Sequence, residues 1–204
     1  MTGGAGFIGS HIVAALAARG DEVLVVDDLS TGRESNLPAD VELVRMDIAH
    51  AGLSDVAVRF RAGAIVHAAA QSSVAVSMTR PAEDAATNIL GGINVIDAAV
   101  AAACRRLVYI TTGGALYGVP EYLPMDEAHP VRPISAYGLS KWTLERYLHL
   151  LLPASVPLAV LRLANIYGPR QDPYGEAGVV AVFAARMLDR APVTIQDDGE
   201  QTRD

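Results

Sequence analysis

Short, continuous runs of apolar residues alternate along the chain with longer stretches in which apolar residues recur every three or four positions. The continuous runs predict strands that are buried on both faces, because such strands need no polar side. We expect these strands at 22–27, 41–46, 64–68, 106–112 and 157–163. The periodic stretches predict helices at 7–19, 52–61, 81–103, 135–151 and 178–189. Strands that alternate with helices of this length indicate β-α-β units, and therefore an α/β fold with a doubly wound parallel sheet.

A glycine-rich loop opens the chain, where Gly3, Gly4, Gly6 and Gly9 fit both G-x-x-G-x-x-G and G-x-G-x-x-G. Such a loop lets backbone N–H groups approach a pyrophosphate, and the helix that follows directs its positive end at the same charge. The next strand ends in Asp27, at about the distance where a dinucleotide fold places the carboxylate that binds the adenosine ribose. A tight turn in an ordinary α/β domain is the alternative, but this context favours a Rossmann-like dinucleotide site.

Both ends of the sequence fit such a fold incompletely. A strand normally precedes the glycine-rich loop in the centre of the sheet, and only Met1 and Thr2 stand there. We therefore expect the sheet to lack its first strand and the sequence to be a fragment. A longer upstream reading frame that encodes an apolar strand would support this expectation, and a stop codon directly upstream of Met1 would contradict it.

The composition changes after about Ala164, where glycine and proline become frequent. This change is typical of a loop that leaves the sheet for a smaller part of the protein. We expect a dinucleotide-binding domain over 1–164. Residues 165–204 are expected to be the start of a substrate-binding region, which ends before a small C-terminal domain closes.

The overall composition narrows the range of partners. The net charge is −7, which argues against a nucleic-acid partner. No apolar run reaches the length of a membrane-spanning helix, no signal peptide is present, and we expect no membrane partner. Cys104 is the only cysteine, so it forms no intramolecular disulfide and is interpreted as a buried structural thiol. These features together predict a cytoplasmic protein.

One tyrosine and the only lysine form a candidate catalytic pair. Of the 16 Lys and Arg residues, 15 are Arg and one is Lys141, and Tyr137 precedes it by four residues, on the same face of the predicted helix. A phenol titrates near 10 unaided, and a neighbouring ammonium favours the phenolate, which suits a proton acceptor for a substrate hydroxyl. Chance alone places a tyrosine four residues before the lysine in about 3% of cases (7/204).

The motifs of the chain together resemble those of the extended short-chain dehydrogenases/reductases, in the NAD-dependent sugar epimerase/dehydratase family. Within it the sequence resembles most closely the UDP-glucose 4-epimerase branch. The matching segments follow the family order along the whole chain: Thr2-Gly-Gly-Ala-Gly-Phe-Ile-Gly-Ser10, Val66-His-Ala-Ala-Ala70, Tyr137-x-x-x-Lys141, Arg162-Leu-Ala-Asn-Ile-Tyr-Gly-Pro-Arg170 and Asp198-Gly-Glu-Gln-Thr-Arg-Asp204.

The resemblance implies NAD as cofactor and assigns roles to individual residues. Asp27 is expected to bind the adenosine ribose and to favour NAD over NADP, because a 2′-phosphate would meet its carboxylate. Tyr137 is the expected acid/base, Lys141 its helper and Thr112 the third catalytic residue. Thr112, Tyr137 and Asn165 are the expected substrate contacts. The expected cofactor contacts are Gly3, Gly6, Phe7, Ile8, Gly9, Asp27, Asp28, Asp47, Ile48, Ala68, Ala69, Tyr137 and Lys141.

One position departs from the family pattern. The family usually places a catalytic Ser or Thr four residues before the Tyr-Gly of this loop, and that position is Gly113. Thr112 is our candidate to bind the sugar hydroxyl, with Thr111 second. Dehydratases of the family carry an Asp-Glu pair here, whereas Gly113 and Gly114 offer no carboxyl group, which argues against dehydration.

Other polar residues have structural interpretations. His67 ends a buried strand and is interpreted as structural, and Asn88 is expected to bond backbone near the active site. His11 and His129 lack the partner spacing of metal ligands, so no metal is predicted.

Several charged residues are left with open or solvent roles. Arg162 and Arg170 fit either a phosphate contact or a surface ion pair, with Arg170 slightly favoured for a ligand-side role. Asp197, Asp198 and Glu200 are expected to be solvated turn residues.

The function implied by the resemblance is the interconversion of UDP-glucose and UDP-galactose, or of related UDP-hexoses, by a nucleotide-sugar 4-epimerase. The reaction passes through a transient 4-keto sugar and uses bound NAD. The alternatives are another nucleotide-sugar dehydratase, decarboxylase or reductase of the family, or an inactive NAD-binding fragment. A homodimer through the helices at 81–103 and 135–151 is also expected.

Overall fold

A computed structural model of the chain describes residues 1–175, 178–195 and 198–200. All five predicted strands are present, each begins or ends within two residues of its predicted bounds, and all neighbouring pairs run parallel. The strands are β1 (Leu24–Asp27), β2 (Glu42–Arg45), β3 (Ile65–His67), β4 (Leu107–Thr112) and β5 (Leu158–Leu163). The prediction of a parallel α/β sheet is therefore confirmed.

The strand order is β2, β1, β3, β4, β5, and a single residue joins its two parts. Thr2 forms a parallel bridge to Val26 of β1 on one side and to His67 of β3 on the other. Its backbone N–H donates to the carbonyl of Val66 at 3.0 Å. Thr2 thus occupies the central position of the sheet, directly before the glycine-rich loop, where the fold normally has a whole strand.

Seven α-helices connect and cover the strands within the described residues. They are α1 (Phe7–Ala18), α2 (Leu53–Arg59), α3 (Val74–Thr79), α4 (Pro81–Ala85), α5 (Gly92–Ala101), α6 (Ala136–Leu151) and α7 (Val179–Leu188). A 3₁₀ turn adds Glu34–Asn36. No helix in these described segments is long and apolar enough to cross a membrane.

The predicted helix over 81–103 is present and continuous from Pro81 to Ala101, and its middle has π-helical geometry that was not predicted. The segment is α4, then a π-helical turn at Ala86–Gly91, then α5. The π turn surrounds Asn88, whose side chain is held by buried polar partners on other elements. Such turns are often found at functional sites. Helix α3 was not predicted. It has only 6 residues, between Ser73 and Arg80, which is too short for a helical period to be recognised.

Both faces of the sheet are covered, as a doubly wound fold requires. Leu24 and Val26 of β1 belong to the main core, together with residues of α2, α5 and α6. Val25, between them, is fully buried and points to the opposite face, where its side chain and that of Val13 of α1 both lie next to Gly4. This alternation explains why the strands read as continuous apolar runs.

Candidate active site

The glycine-rich loop is packed against the end of β3. Gly3 has φ +68°, a conformation that glycine adopts without strain. A Cβ at Gly3 would overlap the backbone nitrogen of Ala69, and one at Gly9 would overlap the carbonyl oxygen of Gly3. The structure therefore brings together four predicted cofactor residues, Gly3, Gly9, Ala68 and Ala69.

The N-terminus of α1 is open towards this loop. Gly6 is its N-cap, no side chain caps it, and no acidic residue lies in its first turn. By contrast, Ser73 and Ser135 cap α3 and α6 with their side chains. The first N–H groups of a helix have no acceptor within the helix, so those of α1 remain available to an anion. A Cβ at Gly6 would meet no atom closer than 3.4 Å, which leaves room for a ligand to approach the backbone.

Asp27 closes the same site from the end of β1. Its side chain is buried, and its two carboxylate oxygens accept hydrogen bonds from the N–H groups of Ala5 and Leu29, each at 2.9 Å. The sequence predicted a ribose contact here but not that Asp27 also fixes the glycine loop. The neighbouring Asp28 is exposed and binds Ser30 through its Oδ1.

Two further predicted cofactor residues follow β2 at the same edge of the sheet. Met46 donates its N–H to the carbonyl of Asp27 at 3.0 Å, which places Asp47 and Ile48 just beyond the end of β1. Asp47 is exposed, whereas Ile48 is 4% exposed and its carbonyl accepts from Asn94 Nδ2 at 2.6 Å. The open helix end, the close-packed glycines and the acid at the end of β1 fit a dinucleotide.

Lys141 is fully enclosed by the fold. Its Nζ donates to the carbonyl of Ile110 in β4 at 3.0 Å and lies 4.6 Å from the centre of the Tyr109 ring. Burial lowers the pKa of Lys141 to about 7, and the negative charge of Asp84 acts in the opposite direction. The sequence showed that Tyr137 and Lys141 share a helix face, but gave no sign of this burial.

Tyr137 is half-buried in the first turn of α6, and the helix start is held by hydroxyl groups. Ser135 accepts a hydrogen bond from the N–H of Gly138 at 3.1 Å. Ser77 of α3 accepts one from the N–H of Tyr137 at 3.0 Å. The cap at Ser135 has a sequence signal, a Ser directly before the periodic stretch. The contact from Ser77, 60 residues away, has none.

Asn88 joins this helix start to the loop after β3. Its Nδ2 donates to the carbonyl of Gln71, to Asp84 and to Ser140 Oγ, and its Oδ1 accepts from the N–H of Gln71. Ser140 in turn donates to the carbonyl of Tyr137 at 3.0 Å. Asn88 thus bonds backbone, as predicted, and the sequence missed its partners Gln71 and Asp84.

The two threonines that end β4 differ in their surroundings. Thr111 is buried, and among the described residues its hydroxyl oxygen lies within good hydrogen-bond geometry of no partner. Thr112 is half-buried, and its Oγ1 accepts from the N–H of Ala115 at 3.2 Å. Gly113 donates its N–H to the carbonyl of Leu163 at 2.7 Å. Because Thr112 is the more accessible hydroxyl, the geometry favours it over Thr111.

The two arginines considered in the sequence, Arg162 and Arg170, have different surroundings. Arg162, in β5, forms an ion pair with Glu145 of α6 and so makes an internal contact, not a surface pair. Arg170 and Asn165 are both exposed, and Arg170 has φ +70°. The carbonyl of Pro169 lies 2.9 Å from His11 Nε2, so this loop returns to α1. Among the turn residues, Glu200 donates its N–H to Asp198, and Asp197 lies outside the described residues.

Cys104, which was predicted to be structural, and His129 are both buried. Cys104 is 2% exposed, its Sγ donates to the carbonyl of Ala62, and burial raises the pKa of this thiol. His129 accepts the N–H of Glu121 on Nε2 at 3.0 Å. Within the described segments, no three His, Cys, Asp or Glu side chains are grouped as a metal site would need.

His67 is held inside the sheet. Its Nδ1 shares a hydrogen bond of 2.8 Å with Thr2 Oγ1, and its ring stacks on Tyr109 with 5.6 Å between ring centres. Burial, and then the charge of Lys141, lower the pKa of His67 to about 3. These contacts agree with a structural role.

We expect His67 to make the fold sensitive to acid. Its pKa is near 6.5 in the unfolded chain and about 3 in the folded one, so the unfolded state binds more protons between these values. Stability is therefore lost as the pH falls below about 6.5, by about 2 kcal/mol at pH 5. Urea unfolding between pH 7 and 5 should show a shallower loss in His67→Phe than in the wild type. His149→Gln, at an exposed position, is the control, and equal slopes in all three proteins would contradict the prediction.

Comparison with known proteins places the site in context. The NAD dependent epimerase/dehydratase family matches residues 1–204. A putative UDP-glucose 4-epimerase of Methanocaldococcus jannaschii is 43% identical over 206 residues, which cover 100% of this chain and 67% of the relative.

Two solved structures are also similar. A UDP-glucose 4-epimerase of Thermotoga maritima, solved with UDP-glucose, has a TM-score of 0.95 and 43% identity, and the match covers 100% of this chain and 67% of that one. A UDP-glucose 4-epimerase of Thermus thermophilus, solved in complex with NAD, has a TM-score of 0.88 and 47% identity, over 95% of this chain and 63% of that one. The chain thus spans about two thirds of the length of these relatives.

Proposed function

The chain belongs to the NAD-dependent epimerase/dehydratase family, and we propose that it is a nucleotide-sugar 4-epimerase that interconverts UDP-glucose and UDP-galactose. One observation carries the proposal. Lys141, in the second turn of α6, reaches the carbonyl of Ile110, two residues before Thr112, so that Tyr137 and Thr112 lie at the carboxyl edge of the sheet. The glycine-rich loop packs at the same edge, against the end of β3.

The cofactor and the protein divide the chemistry between them. NAD, when bound, supplies the group that accepts a hydride from C4 of the sugar and returns it. The N–H groups at the start of α1 would hold its pyrophosphate, and Asp27 would hold its adenosine ribose. The chain itself binds, orients and moves the proton.

Tyr137 is the proposed acid/base. It takes the proton from the C4 hydroxyl of the sugar and gives it back when the 4-keto sugar has presented its other face. Lys141 lies on the same helix face, and in its protonated form its charge favours the phenolate of Tyr137. Thr112 would hydrogen-bond the sugar hydroxyl, and Asn165 would contact the nucleotide sugar.

The choice between NAD and NADP is proposed to depend on Asp27. In Asp27→Asn the amide has one acceptor oxygen in place of two, so one of the N–H groups of Ala5 and Leu29 loses its bond. We expect NAD affinity to fall about tenfold to a hundredfold. The preference for NAD over NADP should also shrink, because a 2′-phosphate no longer meets a negative charge.

Isothermal titration with NAD and NADP would measure both effects. Asp21→Asn is the control, since Asp21 is exposed and pairs only with Arg19 among the ion pairs of the described residues. An unchanged NAD to NADP ratio in Asp27→Asn would mean that another residue selects the cofactor.

Proton NMR of UDP-galactose, incubated with protein from the complete reading frame and without added NAD, tests the function. Appearance of UDP-glucose would support a 4-epimerase that carries its own cofactor. A new methyl signal from a 4-keto-6-deoxy sugar would instead indicate a dehydratase and contradict the inference from Gly113 and Gly114. No change would reject this substrate, and UDP-N-acetylgalactosamine would be tested next.

The domain division and the homodimer remain part of the proposal. Residues 165–204 would begin the substrate-binding region. Several apolar side chains on the π turn and α6 are largely exposed, among them Leu90, Leu139 and Leu150. A second copy that covers them would agree with the dimer expected from the family.

A further inference from the structure

Arg162 makes an ion pair with a buried partner, Glu145, and is itself partly exposed. Its Nη2 donates to Glu145 Oε1 at 2.6 Å and its Nε to Oε2 at 3.3 Å, so both carboxylate oxygens are engaged. The side chain of Glu145 is 4% exposed and that of Arg162 is 16% exposed. Hydrogen bonds to the guanidinium group also raise the pKa of Arg162.

The same guanidinium group also reaches the loop after β4. Its Nη1 donates to Tyr117 Oη at 2.9 Å and to the carbonyl of Glu127 at 3.5 Å. Its Cζ lies 5.5 Å from the centre of the Tyr117 ring and 5.6 Å from that of Trp142. One side chain of β5 therefore contacts α6, through Glu145 and Trp142, and the loop after β4, through Tyr117.

These two segments carry the groups that must act on the same sugar. Helix α6 bears Tyr137 and Lys141 in its first two turns, and Glu145 lies one turn beyond Lys141. The loop that holds Tyr117 begins directly after Thr112. Arg162 thus connects the helix that carries the proposed acid/base to the loop that follows the proposed hydroxyl contact, although it is 25 residues beyond Tyr137 in the chain (162 − 137).

Stability alone does not account for this arrangement. Burying two charges has a desolvation cost, and apolar residues of similar volume often stabilise a fold as well or better. A guanidinium group adds something that apolar residues lack, a rigid planar fork that fixes several partners in direction as well as in distance.

We propose that Arg162 is a positioning residue that fixes helix α6 and the Thr112–Tyr117 loop relative to each other, by binding Glu145 and Tyr117 with one guanidinium group. It does not touch the substrate. The proposal rests on the proposed function, in which Tyr137 and Thr112 act on one sugar. A displacement of about 1 Å between catalytic groups is enough to lower a rate about a hundredfold.

The decisive variant is the double substitution Arg162→Met/Glu145→Met. It removes the ion pair without leaving a buried charge unpaired, which the single Arg162→Met would do. We expect its melting temperature to stay within about 5 °C of the wild type, because two apolar side chains of similar length replace the ion pair. We expect kcat for UDP-galactose to fall about tenfold or more, with KM changed less than about threefold.

Three single variants complete the test. Arg162→Lys keeps the charge but removes the planar guanidinium group, so kcat should be as low as in the double variant. Tyr117→Phe removes only the hydroxyl that Nη1 binds, so kcat should fall about threefold or more with the fold retained. Arg146→Met is the matched control, because Arg146 lies 5.5 Å from the Trp142 ring on the same helix and should leave kcat unchanged.

Each outcome decides one claim. A double variant with wild-type kcat would overturn the positioning role. If that variant does not fold, a wild-type kcat in Tyr117→Phe would overturn it. A wild type that binds NAD and UDP but interconverts no sugar would overturn the proposed function instead. In that case crystal structures of the double variant or of Tyr117→Phe decide: a loop displaced by about 0.5 Å or more relative to α6 supports the positioning role, and a superposable loop rejects it.

Discussion

Turnover is expected to fall about a thousandfold or more in Tyr137→Phe, because the phenol is the proposed proton acceptor for the sugar hydroxyl and the loss of general acid–base catalysis is worth about 10²–10⁴. The fold should be unaffected. The ring is kept, and the contacts of Tyr137 with Ser77 and Ser140 use its backbone N–H and carbonyl. NAD should remain bound after purification, because the proposed pyrophosphate site at the start of α1 is unchanged.

The measurement is kcat for UDP-galactose by proton NMR, together with NAD content and melting temperature. Tyr147→Phe is the matched control, since Tyr147 lies on the same helix, is 38% exposed and should leave kcat unchanged. Turnover of Tyr137→Phe within tenfold of the wild type would mean that another group accepts the proton.

Alanine substitutions at two glycines of the opening loop are expected to have different effects, on folding in one case and on NAD binding in the other. In Gly9→Ala the new Cβ overlaps the carbonyl oxygen of Gly3, a backbone atom that no side-chain rotation can relieve. We expect a loss of about 3 kcal/mol or more in the free energy of unfolding, and about 6–12 °C in melting temperature. In Gly6→Ala the nearest atom is 3.4 Å away, so the fold should remain within about 1 kcal/mol of the wild type.

The methyl group that Gly6→Ala introduces instead fills space next to the open N-terminus of α1. We expect NAD affinity to fall about tenfold or more, because the pyrophosphate can no longer approach the backbone N–H groups closely enough to accept their hydrogen bonds. Thermal unfolding and NAD titration of both variants would separate the two roles. Gly114→Ala, where a Cβ meets nothing within 4 Å, is the control for folding. A Gly6→Ala protein with wild-type NAD affinity would show that the ligand does not approach this glycine.

The apolar pattern was sufficient for the strands and for most helices. Strand β4 could be predicted within one residue because Leu107 to Ile110 are all apolar and the strand is covered on both faces. The pattern could not predict the π turn between α4 and α5. The periodicity of 81–103 predicts a helix, but it carries no signal for the π-helical turn at Ala86–Gly91, where the side chain of Asn88 donates to the carbonyl of Gln71.

Sequence alone determined the features that depend on local spacing. These are the order of the elements, the glycine loop before α1, the Tyr137 and Lys141 pair on one helix face, and the family resemblance. Each of these features depends on residues that are close together in the chain. The helix and strand periods then decide which of those residues share a face.

Only the tertiary structure decided how these features are held. It buried Lys141 against β4, used Asp27 to fix the glycine loop, and joined Arg162 to Glu145 and Tyr117. Such contacts connect residues that are far apart in the sequence. They also involve charged residue types, which are mostly exposed in proteins. Whether they become buried partners depends on the packing of whole elements, which no local pattern specifies.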